Sequence, residues 1–149
     1  MKNLIILLIA AIFCVSASNV RADDRDTAVA LVKKAVAFYK ANGPEKLIEE
    51  VSNPKGQFVN GAFYVFVMDK DSIMLAHPMN ASLIGQPNMT IKDVDGKLFT
   101  KEMFDVARGK GSGWVDYRFK NPKTGEISPK SSYVEYFEDI LFGCGVYRK

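Results

Sequence analysis

The run Ala62-Phe63-Tyr64-Val65-Phe66-Val67-Met68, followed by Asp69-Lys70-Asp71-Ser72 and Ile73-Met74-Leu75-Ala76, decides the fold. Its apolar pattern has the period of a strand, with Phe63, Val65 and Val67 on one side and Tyr64, Phe66 and Met68 on the other. Both sides are apolar, so both need cover from other parts of the chain. The polar residues after Met68 read as a turn, and residues 73–76 return as a partner strand to make a hairpin.

Towards the N-terminus the period becomes helical. Across residues 24–40, Ala28, Leu31, Val32, Ala35, Phe38 and Tyr39 form one stripe, while Lys33, Lys34 and Lys40 fall largely off it. Asp23, Asp24 and Asp26 favour the start through capping and the helix dipole, and Asn42-Gly43-Pro44 ends the helix. This predicts an amphipathic helix of roughly four to five turns. Pro44 suits a first turn, so a second short helix is expected over residues 44–51. Asn53-Pro54-Lys55-Gly56 then breaks the chain.

Towards the C-terminus, residues 77–98 contain Pro78, Asn80, Gly85, Pro87, Asn88 and Gly96 and show little periodicity. They read as a long ordered loop lying over the sheet, and such loops in compact domains are usually functional or disordered. A short helix is expected over residues 100–107, with Met103, Phe104 and Val106 as its apolar positions. Three strands follow at about 113–119, 131–137 and 140–147, the first two joined by a turn at Asn121-Pro122-Lys123-Thr124-Gly125. The expected fold class is α+β: a long N-terminal helix packed on a central antiparallel sheet of about five strands, with an inserted loop and short helix.

Residues 1–22 have the layout of a cleaved export signal: Lys2, an apolar run from Leu4 to Val15, and Val20-Arg21-Ala22 at the boundary. Ser16, Ser18, Asn19 and Arg21 cut the run short of the ~20 residues of a membrane span. Retention as an anchor is the alternative. Ile12-Phe13 are too bulky for a lipoprotein signal, so Cys14 leaves with the peptide. Lys2 and Arg21 leave too, and the formal net charge drops from +3 to +1. A nearly neutral chain without clustered Lys and Arg excludes nucleic acid as an expected partner. Residues 23–149 make one domain. Cys144 alone remains, so no intrachain disulfide can form, and its apolar setting suits a buried small hydrophobe better than a reactive thiol.

Five motifs now stand in order: Ala62-Phe63-Tyr64-Val65-Phe66-Val67, Leu75-Ala76-His77-Pro78, Gly111-Ser112-Gly113-Trp114-Val115-Asp116-Tyr117, Lys130-Ser131-Ser132-Tyr133-Val134 and Gly143-Cys144-Gly145-Val146-Tyr147. Their order and spacing resemble the single Cache domain of bacterial sensors, the extracytoplasmic relative of the PAS fold. The resemblance runs from Asp24 to Arg148. It implies a long helix on the back of the sheet, often used for homodimerisation, and a small ligand held between the inserted loop and the other face. Family members commonly lie between two membrane spans. This sequence reaches Lys149 without a second hydrophobic segment, so output is expected through a partner such as a membrane-bound signalling protein. The Arg-x-Trp-Tyr pattern of amino-acid-binding double-domain relatives is missing, which favours a small organic acid as ligand.

The residues also suggest a site by themselves. Small-ligand pockets are mostly apolar and aromatic with a few placed polar groups, and Tyr64, Phe66, Trp114, Tyr117 and Tyr133 supply such walls or, alternatively, plain core packing. Trp114 and Tyr117 have opposite strand parity and share a cavity only if a bulge or strand end intervenes. Lys130 beside Ser131, Ser132 and Tyr133 places a cation near hydroxyl donors, a combination that suits a carboxylate; the plain alternative is a solvated strand end. His77 can donate to an anion or titrate, or be a structural loop residue. Met79 can add adaptable wall beside it or simply pack the loop. Gly143 and Gly145 share a face and leave space for a ligand or a crossing chain.

Other chemistry finds little support. Asp93-Val94-Asp95-Gly96 lacks the later ligands of a calcium loop and reads as a turn. One His and one mature Cys do not make a zinc site, and no haem-attachment sequence is present. Ser82 lacks nucleophile-elbow glycines. No cofactor, metal or catalytic residue is expected. The expected function is a periplasmic, non-enzymatic sensory domain for a small organic carboxylate, with Lys130 and Tyr133 as polar anchors. The competing expectation is a non-sensing envelope protein that docks a partner through its long helix, its interior filled by its own side chains.

Overall fold

A computed structural model describes residues 22–148. The expected export signal, with Cys14, lies outside the described residues apart from Ala22. Helix α1 runs Ala22–Asn42 and α2 Pro44–Val51. Gly43 separates them at φ 82, a left-handed conformation that ends α1 with its N–H on the Tyr39 carbonyl, and Pro44 opens α2. Strands β1 (Val59–Asn60), β2 (Phe63–Asp69) and β3 (Met74–Ala76) follow, then α3 (Phe99–Lys110), β4 (Ser112–Lys120), β5 (Ile127–Phe137) and β6 (Ile140–Tyr147). Among the described residues no helix is long and apolar enough to cross a membrane.

The sheet is antiparallel with order β1-β2-β6-β5-β4, and β3 pairs with β2. It has six strands rather than five because the two-residue β1 folds back on the start of β2. Strand β5 also begins earlier than expected, at Ile127. Pro129 is tolerated there because its carbonyl, and so its missing N–H, faces the side where β6 has ended and Arg148 N donates. The β5–β6 hairpin closes on Glu138 and Asp139, both at positive φ, and this two-residue turn sets the register of every later pair.

As the double apolar pattern of β2 requires, both faces of the sheet are covered. On one, α1 lays down Ala28, Leu31, Val32, Ala35 and Val36 against Val65, Val67, Phe142, Cys144 and Val146. Each fully buried Leu or Val there contributes ~1.5–3 kcal/mol relative to exposure. On the other face, α3 and the 77–98 loop cover Tyr64, Phe66, Met68, Tyr117, Val134 and Leu141. The loop is tied down: Gly85 N donates to the Met74 carbonyl at 2.8 Å and Asn88 N to the Ser72 carbonyl at 3.1 Å. Asp93 does close a turn, accepting from the main-chain N–H groups of Asp95 and Lys97.

Candidate ligand-binding site

Register builds the site. Lys130 pairs with Tyr117 on one side and Tyr147 on the other, so the three stand abreast on the face covered by α3 and the loop. The next row on that face holds Val115, Ser132 and Gly145, and Tyr64 lies beside Gly145 because Val65 pairs with Cys144. The Lys130 side chain crosses β6 over Gly145, where an added Cβ would run into its Cε and into Ser132 Oγ. Gly143 makes the same room for the Phe66 ring. The space left by the two glycines is therefore taken by these side chains.

Lys130 is 2% exposed. Its Nζ donates to Tyr64 Oη at 3.0 Å and faces the rings of Tyr147, Tyr64, Phe119 and Tyr117 at 4.8, 4.9, 5.4 and 5.9 Å. None of the ion pairs among the described residues includes it. A buried ammonium without a carboxylate lacks a counter-ion, and the Tyr64 hydroxyl and the cation–π contacts stand in for its lost hydration. Burial works against its charge, but Tyr117 and Tyr147 more than compensate and hold its pKa above the ordinary lysine value. It is a cation at neutral pH. Tyr117 Oη and Ser132 Oγ, 2.9 Å apart, complete a polar cluster on this face.

His77 is 6% exposed at the start of the loop, with its ring 5.1 Å from that of Tyr64. Its Nδ1 accepts from the main-chain N–H groups of Met79 and Asn80 at 3.2 and 3.0 Å. That assigns the proton of the neutral ring to Nε2. Burial, then the Lys130 charge, lowers its pKa from 6.5 to about 4. His77 is therefore a neutral donor at physiological pH, and it does not titrate near neutrality.

These groups border a cavity of ≈ 140 Å³. Lys130, His77 and Tyr117 belong to its lining, together with Asn88 and Thr100. The remaining walls are apolar: Phe66, Met68, Met74 and Leu83, then Ile91, Phe99, Met103 and Phe119. Phe99 stacks on Tyr117 at 4.4 Å, so α3 clamps the tyrosine that flanks Lys130. The volume is well below the ~300–1,000 Å³ typical of drug-sized ligands.

Of the eight residues expected at a site, Phe66, His77, Tyr117 and Lys130 line this cavity, and Tyr64 holds Lys130 from beside it. Met79 instead lines a second, outer recess with Gly61, Ala62, Tyr64 and Lys123. Trp114 and Tyr133 do not reach the cavity, which corrects the expectation that they help to form it. They pair across β4 and β5 and face α1, with Arg25 4.1 Å above the Trp114 ring and Tyr133 Oη donating to Glu135. The reason is parity: the register from Ser112 to Lys120 is unbroken, so Trp114 and Tyr117 stay on opposite faces, as do Lys130 and Tyr133. Ser132, named beside Lys130 from the sequence, and Tyr147, one of the aromatics of the C-terminal half, do stand on the Lys130 face. Asn88 and the cavity methionines carried no periodic sign.

The family model described as Single Cache domain 2 matches residues 26–149. The chain belongs to the single Cache domain family. A solved periplasmic sensor domain of a chemotaxis protein is similar to this Cache domain with 27% identity and TM-score 0.68, covering 86% of this chain and 94% of that one. A Cache chemosensory domain described for its carboxylic acid recognition is 30% identical with TM-score 0.66, covering 83% and 88%. The methyl-accepting chemotaxis protein McpP of Pseudomonas putida is 35% identical over 86 residues, which are 56% of this chain and 16% of that protein. The sensor histidine kinase MctS of Rhizobium johnstonii is 31% identical over 86 residues, with 56% and 18% covered. The chain thus spans less than a fifth of the curated relatives it matches. The sensory class of the domain, its extracytoplasmic family and its PAS-like fold follow from this membership.

Proposed function

We propose that this protein is a periplasmic receptor for a short monocarboxylate and that it acts by binding, without catalysis. The observation that carries the reading is the Lys130 ammonium, buried without a carboxylate partner among the described residues, at a cavity whose other walls are mostly apolar. A bound carboxylate supplies the missing counter-charge, accepts from Lys130 Nζ and His77 Nε2, and buries its alkyl tail among the methionines and Phe99. A second carboxylate finds no second cation in the lining. The carboxylic acid recognition of a domain 30% identical supports the ligand class.

Residues 1–22 serve as a cleaved signal that delivers the chain to the periplasm. The ligand braces the loop that carries His77 against the sheet, and output passes to a membrane-bound signalling partner or across a homodimer formed through α1. Thermal-shift screening of the purified protein with monocarboxylates, dicarboxylates, amines and sugars tests the ligand class. Short monocarboxylates are expected to stabilise it, by ~2.7 kcal/mol at a hundred times Kd. Stabilisation by dicarboxylates or uncharged compounds alone overturns the assignment.

A further inference from the structure

The cavity holds a second polar feature away from the ammonium. Asn88 is 5% exposed and lines the cavity, and its Nδ2 donates to the Ser72 carbonyl at 3.2 Å and to the Gln86 carbonyl at 2.7 Å. These two acceptors fix the amide orientation, because the flipped form would set Oδ1 against two carbonyl oxygens. Both amide hydrogens are committed, so the side-chain atom of Asn88 left without a partner is Oδ1, an acceptor only. No donor among the described side chains is seen on it.

Asn88 is anchored at the end of the sheet remote from Lys130. Its main-chain and side-chain partner Ser72 belongs to the β2–β3 turn, next to Met68 and Asp69, which pair with Leu141 and Ile140. Lys130 pairs with Tyr147 at the opposite end of β6. At about 3.3 Å per residue the Leu141 and Tyr147 positions are ~20 Å apart. The long Lys130 side chain, leaning over Gly145, shortens the gap between the two polar groups. Apolar Phe66, Met74 and Met103 line the same cavity.

We propose that Asn88 Oδ1 accepts a hydrogen bond from a hydroxyl on the ligand's tail, so that the protein selects a short hydroxy acid over the matching alkanoate. The inference rests on the carboxylate reading and adds the specificity of its far end. An ammonium on the tail is disfavoured, because a neutral amide and the Thr100 hydroxyl offer no negative charge to offset its burial. A second carboxylate would meet an acceptor oxygen. A hydroxyl satisfies Oδ1 without adding charge.

Calorimetric titration of the purified protein with butyrate, 3-hydroxybutyrate, 4-hydroxybutyrate and their 3-fluoro and 4-fluoro counterparts provides the test. At least one hydroxy acid is expected to bind about fivefold or more tighter than butyrate, the range of one neutral hydrogen bond. Its fluoro counterpart, similar in size but unable to donate, should show no gain. Asn88→Leu should bring the hydroxy acid and butyrate to equal affinity; if that variant does not fold, the ligand series decides alone. Butyrate binding as tightly as both hydroxy acids, or a fluoro acid matching its hydroxy partner, overturns the role of Asn88 and leaves the carboxylate site standing. Binding by none of these acids overturns both.

Discussion

The Lys130 ammonium lies 3.0 Å from the Tyr64 hydroxyl, across 66 positions of sequence, and this bond ties β2 to β5 across the central strand β6, over Gly145. Tyr64 is neutral at physiological pH, since burial raises its pKa above 10.0. The bond therefore orients the cation without neutralising it, and a ligand anion can still compete for its charge.

Lys130→Met separates binding from folding. Removing a buried cation that has no counter-ion should change stability by no more than about 2 kcal/mol in urea denaturation. Short-acid affinity should fall at least tenfold, roughly the range of a charge-assisted hydrogen bond. A loss of several kcal/mol in stability would mean that the ammonium is chiefly structural.

Gly145→Ala puts a methyl group against the Lys130 stem and Ser132 Oγ, and Gly143→Ala puts one against the Phe66 ring. Overpacking of this kind costs ~1–3 kcal/mol, so thermal denaturation should show both variants destabilised. Gly145→Ala should also weaken acid binding by displacing the ammonium. Parental stability in both would show that the two side chains do not need the glycines.

The His77 imidazole gives a pH signature. Its pKa is about 4 in the fold against 6.5 ordinarily, so the unfolded chain binds more protons between these values. Its contribution to stability is complete above pH 6.5 and is lost as pH falls to about 4, a change of ~3 kcal/mol. Denaturation midpoints measured across that window should be less pH-dependent in His77→Phe. Parallel curves for variant and parent would remove His77 from the account.

Cys144 is buried and its pKa is pushed up to about 12, first by burial, with the nearby Lys130 charge opposing. At neutral pH it should resist a thiol-reactive disulfide reagent until the protein unfolds. Rapid labelling of the native protein would contradict the packing around β6.

Trp114 belongs to the α1 side, clasped by Arg25, so Trp114→Phe should leave acid affinity within about twofold while speeding hydrogen exchange in the first turns of α1. A large loss of affinity would return Trp114 to the site.

The layers of this fold were legible because period alone reports them: the stripe from Ala28 to Tyr39 and the two apolar sides of β2 each demand a covered face. The expected strand ends already left Glu138 and Asp139 as the turn, but which aromatic shares a cavity with Lys130 depends on how β4 and β6 align with β5, and period does not report that. Adjacent motif residues such as Lys130 and Tyr133 then look like partners while facing opposite ways. Asn88 lies in a segment with no period, and its place in the cavity lining appears only once the loop is hydrogen-bonded to Ser72 and Met74.

Calorimetric titration of propionate against propionamide tests the central claim most directly, because the pair differs in charge and little in size. The account predicts saturable one-to-one binding of the acid, negligible binding of the amide, and loss of acid binding in Lys130→Met. Equal affinity for acid and amide, or an undiminished acid isotherm in a folded Lys130→Met variant, would contradict it.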